Sequence, residues 1–410
     1  MYLTALDLGS SQIKGLVVEI KKDGQTSLLD VFKLPSKGLR KGEIISSDEA
    51  TQALRLAVEE IKKVNKAATK NIFINIGSTN IKIQNSRGIV AVSRADNEIY
   101  SEDIDRAIKA SQAINLGPNR MILHTLTQEF IVDGIGNIID PLGMTGNRLE
   151  VNSLIIDAFK PTVNNLIKAV EVNGAKIGGI IYSPLAAARA VLTKNQKELG
   201  VVLIDIGFGT TSIAVYEENK LLSANVFPVG SANITNDLAI GLRCPIETAE
   251  AIKLSFGSAL AKEVSNKEKI ELQKIDKDLK SVVSRRFISE IIEIRISEIF
   301  EFINNELKLI GKLGQLPAGA VLTGGGAKIP SILELAKQKL KLPAQIGIPT
   351  LNEIESINDD SRAQLEDLEF SVADGLLLFG LDEMLKETGW SISKFGKKGW
   401  LGKILKHFLP

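Results

Sequence analysis

Asp7, Gly9, Ser10, Ser11 and Lys14 fall close together in the stretch ALDLGSSQIKG. Gly9 lets a backbone approach an anion, and the two serines bring hydroxyl and N–H donors to phosphate oxygens. Asp7, at the end of an apolar run, can hold Mg²⁺ through water, and Lys14 can reach back over the phosphates as a point charge. A second stretch, DIGFGTT, offers Asp205, Gly207, Gly209, Thr210 and Thr211 in the same grammar. An ordinary hairpin with an Asp-Gly turn reads the same way. Two such turns in one chain point instead to phosphates gripped from both sides, with a metal between the carboxylates. Asp205 is then the candidate for orienting a water through Mg²⁺; no general base is assignable.

Two further stretches add contacts for a nucleoside. VLTGGGAKIPSI runs from an apolar strand into Gly324, Gly325, Gly326 and Ala327, with Pro330 near a helix start. Three glycines allow close backbone approach to a flat ring or a phosphate, and a flexible loop is the plain alternative. In ETAEAIKLSFG, Glu250 and Lys253 share a helical face and can bracket a ribose and base; a solvated ion pair is the bland reading.

The elements that carry these groups follow from periodicity. Residues 3–20 and 200–218 each read as apolar strand, short Gly/Ser/Thr turn and second apolar strand, so each is a β-hairpin. Their repetition suggests two related domains. Residues 51–66 and 161–173 read as amphipathic helices and 71–78 as a strand. Residues 84–161 give strand, helix and strands, a small α+β insertion. Residues 262–309 are highly charged with helical period and read as a helical lobe that includes KEVSNKEKIELQ. An acidic surface stretch, LNEIESINDDSRAQLEDLEF, leads into a last helix, SVADGLLLFGLDEML.

The final eleven residues, WLGKILKHFLP, differ in kind. On a helix of about 100° per residue, Trp400, Leu401, Ile404, Leu405 and Phe408 share an arc of roughly 140°. Gly402, Lys403, Lys406 and His407 lie opposite, Lys394, Lys397 and Lys398 precede, and no acid follows Glu387. This is the pattern of an interfacial membrane anchor; the alternative is a helix docked on the protein's own core. Elsewhere the composition is that of a globular chain: 410 residues, 44% hydrophobic, net charge +1, which gives no general preference for nucleic acid. One cysteine, Cys244, forbids an intrachain disulfide and fits a reducing compartment. Two histidines argue against a zinc site or a Ser-His triad. No signal-peptide pattern opens the chain, and no apolar run of about 18 residues spans a bilayer.

The order of phosphate hairpin, second hairpin, Glu/Lys helix and Gly-rich loop resembles the actin, heat-shock-chaperone and sugar-kinase superfamily of ATP-binding proteins. The stretches ILHTLTQEFIVDGIGNIIDPLGMTGNRLEV and SPLAAARAVLT, with the amphipathic end, look like the bacterial cell-division FtsA family. The resemblance spans essentially the whole chain, and DPxGMxGxRLE is its most specific string. Two departures stand out: Phe208 where the family's second turn often has Gly, and no His in VNSLIIDAF. The resemblance implies an α/β actin-like ATPase fold, duplicated ribonuclease H-like domains around an ATP cleft, with a small α+β insertion subdomain and a C-terminal amphipathic helix.

The division of the chain that this implies is as follows: 1–83 and 162–198 in the first subdomain, 84–161 the insertion, 199–236 and 312–364 in the second, 237–311 the helical lobe. Residues 365–385 are a return helix, 386–399 a linker and 400–410 the membrane-targeting helix. The implied cofactors are ATP and Mg²⁺, with at most weak hydrolysis regulating polymerisation. The implied partners are further copies in a head-to-tail polymer, the C-terminal tail of the tubulin-like FtsZ, other division proteins and anionic lipid, at the cytoplasmic face of the septal cell membrane. Ser284, Arg285, Arg286 and Arg295 are candidates for the acidic FtsZ tail, surface arginines being the alternative. Rival readings are a PilM-like pilus-assembly ATPase, a small-molecule kinase of the same superfamily and a chaperone ATPase.

Overall fold

The computed structural model describes residues 1–21, 24–351, 354 and 359–387. Residues 388–399 of the expected linker, the expected helix at 400–410, and with them Lys397, Lys398, Trp400, Leu401, Lys403, Ile404, Leu405 and Phe408 lie outside the described residues, whereas 386 and 387, expected in the linker, still belong to the last described helix.

β1 (Tyr2–Leu8) and β2 (Gln12–Ile20) form an antiparallel hairpin that β3 (Thr26–Pro35) extends. A miniature hairpin, β4 (Leu39–Arg40) and β5 (Glu43–Ile44), follows, then α1 (Ser47–Val64) and β6 (Ile72–Ile76). The insertion comprises β7 (Lys82–Ala91), α2 (Ser101–Ser111), β8 (Arg120–Val132), β9 (Ile135–Ile138) and β10 (Arg148–Phe159), a sheet of order β7-β10-β8-β9 with its own small core. The chain returns through α3 (Lys160–Glu171), β11 (Ile177–Tyr182), α4 (Ser183–Val191) and α5 (Lys194–Leu199). The first main sheet is thus ordered β11-β6-β1-β2-β3.

The second half repeats this plan. β12 (Val201–Ile206), β13 (Thr211–Glu217) and β14 (Lys220–Phe227) are an antiparallel run. After α6 (Ser231–Leu242), α7 (Ile246–Phe256), β15 (Lys269–Glu271), β16 (Val282–Ser284) and α8 (Arg285–Leu309) come β17 (Ala320–Thr323), α9 (Ile332–Leu340) and β18 (Ala344–Ile346). The sheet order β14-β13-β12-β17-β18 matches the first: three antiparallel strands, then two parallel ones. α10 (Asp359–Leu365) and α11 (Ser371–Glu387) close the described chain. α11 packs on α4 and β1, back on the first half.

Local sequence explains the layers. β1 and β12 are apolar on both faces because helices cover both sides of each central strand. α4, SPLAAARAV, is buried nearly all round, and its alanines let it fit between the two sheets. The approach of α11 to α4 is closer still: a Cβ on Gly375 would lie 1.8 Å from the Ala186 carbonyl oxygen. Only glycine permits that contact.

One sequence expectation fails here. KEVSNKEKIELQ is not α-helical; it enters from the 3₁₀ turn Ala261–Glu263, continues into β15, whose partner is β16, and ends in a second 3₁₀ turn, Leu272–Lys274. Ser265 and Asn266 break the helix, the Ser265 hydroxyl accepting from the Lys267 N–H at 3.2 Å. Charge alternating with Ile270 then favours a strand. The helical lobe proper is α6, α7 and α8 around Ile234, Leu238, Ile252, Ile292, Ile296 and Phe300.

Candidate functional site

The turn after β1 and the turn after β12 face one cavity of about 400 Å³ between the halves. Asp7 and Asp205 both line it, at mirrored positions one residue from the ends of β1 and β12. Asp7 Oδ2 pairs with Lys14 Nζ at 3.1 Å, and its Oδ1 accepts from Asn75 Nδ2 at 2.8 Å. Asn75 is fixed in turn by the Leu8 N–H donating to its Oδ1 at 2.7 Å and lies 3.1 Å from Ser183 Oγ. Desolvation in the cleft, reinforced by the charge of Asp7 and opposed by Lys14, pushes the Asp205 carboxyl up to about 6. Neighbouring acids of this kind favour a bound cation.

The glycines stand where side chains would obstruct. A Cβ on Gly9 would meet the Gln12 carbonyl oxygen at 2.6 Å, and one on Gly209 would meet Ser10 Oγ at 3.0 Å. The two turns therefore touch across the cleft. Gly324 has φ +82°, and a Cβ there would fall 2.2 Å from Asp205 Oδ1. Gly207, Thr210, Gly325 and Gly326 also line the cavity, as do Ser10, Ser11 and Lys14.

On the nucleoside side, Lys253 Nζ sits 2.7 Å from Glu250 Oε2 and 2.9 Å from Thr235 Oγ1. The lysine is 6% exposed, so this is a buried, partnered cation and not a solvated surface pair. Both residues line the cavity.

Two of the residues proposed for the cleft sit elsewhere. Thr211 is fully buried at the start of β13, and its Oγ1 has no hydrogen-bond partner among the described residues. Strand alternation turns Ser212 to the cavity instead, with its hydroxyl also unpartnered. Ala327 is buried in the 3₁₀ turn Gly325–Lys328 behind the glycines, and Lys328, Ile329 and Pro330 line the cavity in its place. Phe208 does not crowd the second turn: it is 42% exposed on the cavity wall.

Sequence reading missed Asn75, Ser183, Ser212, Ser231 and Glu369, all cavity-lining. A lone Asn inside the apolar run NIFINIGS was the one available signal. The acidic stretch before α11 also proves to be more than surface. Glu369 binds Lys33 of the first half at 3.0 Å and Lys328 of the second at 2.8 Å. The Leu368 carbonyl accepts from the Gly324 N–H at 3.2 Å.

The candidate peptide-binding residues lie on α8. Ser284 caps the helix, accepting from the Phe287 N–H at 3.1 Å. Arg285 binds the Phe256 carbonyl and Glu268, and Arg295 makes a two-point contact with Asp237 at 2.6 and 2.9 Å plus a contact to Glu298. Among the described residues Arg286 pairs only with its helical neighbour Glu290, at 3.5 Å.

Comparison with known proteins agrees with this architecture. A family model for cell division protein FtsA matches residues 202–375, and one for the SHS2 domain inserted in FTSA matches residues 78–157. The chain is 34% identical over 391 residues to cell division protein FtsA of Pseudomonas aeruginosa, covering 95% of this chain and 92% of that one. It is 37% identical over 345 residues to that of Bacillus subtilis, covering 84% and 78%. For Escherichia coli the identity is 30% over 390 residues, covering 93% and 91%. Among solved structures, the PilM-PilN type IV pilus biogenesis complex superposes with TM-score 0.62 at 17% identity, covering 92% of this chain and 98% of that one. MreB5 of Spiroplasma citri bound to ADP does so with TM-score 0.53 at 15% identity, covering 96% and 99%. At these identities the pilus protein shares the fold and no more. By its two matching family models and by relatives at 30–37% identity over most of its length, the chain belongs to the FtsA family of cell-division proteins, built on the actin-like ATPase fold.

Proposed function

We propose that the chain binds ATP with Mg²⁺ in the cleft, polymerises, and tethers FtsZ filaments to the cytoplasmic membrane through its C-terminal residues. The observation that carries the nucleotide reading is the mirrored pair Asp7 and Asp205 lining one cavity, each beside a glycine turn that leaves no room for a side chain. The site fits the group on its own evidence: the Ser212 hydroxyl is buried there with no hydrogen-bond partner among the described residues, and Gly324 keeps the space above Asp205 clear.

Ser10, Ser11, Gly9, Gly207, Gly209 and Thr210 would surround the phosphates, and Gly324 to Gly326 with Glu250 and Lys253 the nucleoside. Asp7 and Asp205 would hold the metal through water, which when bound supplies positive charge against the phosphates. Lys14 is held by Asp7 and is placed to exchange that partner for phosphate. No general base is assignable among the described residues and Asp205 would only orient a water through the metal, so in this reading hydrolysis is at most slow and serves polymer state. The MreB structure with ADP shares the fold and supports a nucleotide in this cleft.

The two elaborations supply the rest. Among the described residues the insertion and α8 of the helical lobe contribute nothing to the cavity lining, and in this reading they serve polymer contacts and capture of the acidic FtsZ tail. Of the four residues suggested for that tail, Arg286 is the one whose charge is least engaged within the protein. The end of the chain, with five lysines among its last seventeen residues and no acid beyond Glu387, is the membrane anchor. Lysines near an anionic leaflet contribute about 1 kcal/mol each, while ordering a tail helix costs about 1–2 kcal/mol per residue. One tail is a marginal anchor, and a filament gains by multivalency.

Electron microscopy on anionic lipid monolayers with Mg-ATP tests both halves of the reading, comparing the full chain with one ending at Thr388. Filaments on lipid are expected only for the full chain. Reversing Lys397, Lys398 and Lys403, or Trp400→Glu, should release the protein from liposomes with ATP binding retained; unchanged co-sedimentation refutes the anchor.

A further inference from the structure

The turn between β4 and β5 belongs to none of the phosphate motifs, yet it stands at the phosphate end of the cleft. The Lys41 N–H donates to Ser10 Oγ at 2.9 Å. The same nitrogen lies 3.6 Å from where a Cβ on Gly209 would sit, so Lys41 is against the turns of both halves at once. Gly42 beside it lines the cavity.

The turn is held firmly. Lys41 and Gly42 have φ of +52° and +74°, and a Cβ on Gly42 would lie 2.3 Å from the Gly77 carbonyl. Glu43 accepts from Ser78 Oγ at 2.7 Å and Asn80 Nδ2 at 2.8 Å. Lys41 and Gly42 are the two turn residues between β4 and β5, and a two-residue hairpin turn of this kind takes φ > 0 at both, which fixes where the Lys41 backbone stands. Its ammonium makes no ion pair among the described residues, whereas Lys14, Lys253 and Lys328, which line the cleft, are all paired with carboxylates.

We propose that Lys41 is a third phosphate-binding element, its ammonium contacting the terminal phosphate of a nucleoside triphosphate held between Ser10 and Gly209. This rests on the ATP reading of the cleft. The flexible lysine stem carries a point charge that suits a terminal phosphate, and the contact exists only where the two turns meet. A diphosphate, lacking the terminal group, does not engage it. Lys41 therefore discriminates the two nucleotide states.

The test compares Mg-ATP and Mg-ADP affinities of the full chain with those of Lys41→Asn and Lys41→Arg. Asparagine tolerates the left-handed backbone and removes the charge, so the fold is preserved; an unchanged thermal midpoint checks this. Loss of a charge-assisted contact predicts an ATP dissociation constant weakened about tenfold or more for Lys41→Asn, ADP affinity within about twofold, and ATP affinity largely kept by Lys41→Arg. Equal weakening for both nucleotides, or none, overturns the proposal while leaving the cleft reading intact. A wild-type chain that binds neither nucleotide overturns both. As a second readout, Mg-AMPPNP should protect the Lys41 amine from acylation, followed by peptide mass spectrometry, and Mg-ADP should not; equal labelling in the two overturns the assignment.

Discussion

Asp374 offers a sharp test of the packing behind the phosphate hairpin. It lies on α11, is 0% exposed, and neither carboxylate oxygen has a hydrogen-bond partner among the described residues. Burial drives its carboxyl well above the usual carboxylate range, and the charge of Lys14 only partly offsets this. The folded protein therefore keeps the proton while the unfolded chain has released it above pH about 4. The folded state binds more protons, so stability falls as pH rises, by up to about 1.4 kcal/mol per pH unit, until the folded carboxyl itself ionises. Asp374→Asn keeps size and polarity and has no proton to lose. The variant and wild type should be closest in stability near pH 4, and the variant's advantage should grow as the pH rises above it, with a slope no steeper than about 1.4 kcal/mol per pH unit. Far-UV circular dichroism in urea, at each pH, is the assay. If the stability difference is flat as the pH rises, or if Asp374→Asn is the weaker protein at pH 7.5, the carboxylate is ionised and paired and the reasoning fails.

Gly324→Ala should cost several kcal/mol or abolish folding, since the added Cβ meets Asp205 Oδ1 at 2.2 Å on a backbone of φ +82°; equilibrium unfolding measures it, and a change below about 1 kcal/mol contradicts the close approach. Glu250→Ala strands the buried Lys253 ammonium with Thr235 alone and should destabilise by about 3 kcal/mol, whereas the double change with Lys253→Met should recover part of that loss. Arg295→Ala removes the two-point contact between α8 and α6 at Asp237, and an earlier urea transition of the helical lobe, read by hydrogen exchange, is the expected result.

Much of the cleft was readable because turn chemistry is local. Asp-x-Gly after an apolar run announces a hairpin with a crowded tip, and its repetition some two hundred residues later announces a duplicated sheet. Parity was harder to read. Whether Thr211 or Ser212 faces the cavity depends on a single-residue register that only the paired strands set, and a slip of one exchanges the faces. Asn75 and Ser183 were hidden for another reason. Asn75 is the one polar residue of β6 and Ser183 opens the largely apolar α4, and the parallel pairing of β6 with β1 and β11 brings Asn75 to Asp7 and Ser183 to Asn75. Around Lys269 the charge density imitated a helical surface, and the pairing of β15 with β16 outweighed that local preference. Glu369 needed the fold most of all, since its partners Lys33 and Lys328 lie far away along the chain on opposite halves.

The matching strand order of the two main sheets has a mechanical consequence. Each glycine turn closes two central strands, so it cannot shift alone; any change in its spacing from the opposite turn must rotate an entire five-stranded slab. α4 packs on both sheets and is locked backbone to backbone to α11 through Gly375, so a rotation of one slab against the other would have to turn about that contact. A fraction of an ångström at the tip then becomes a larger swing at the periphery, where the insertion on one slab and the helical lobe on the other are fastened like pointers on a balance.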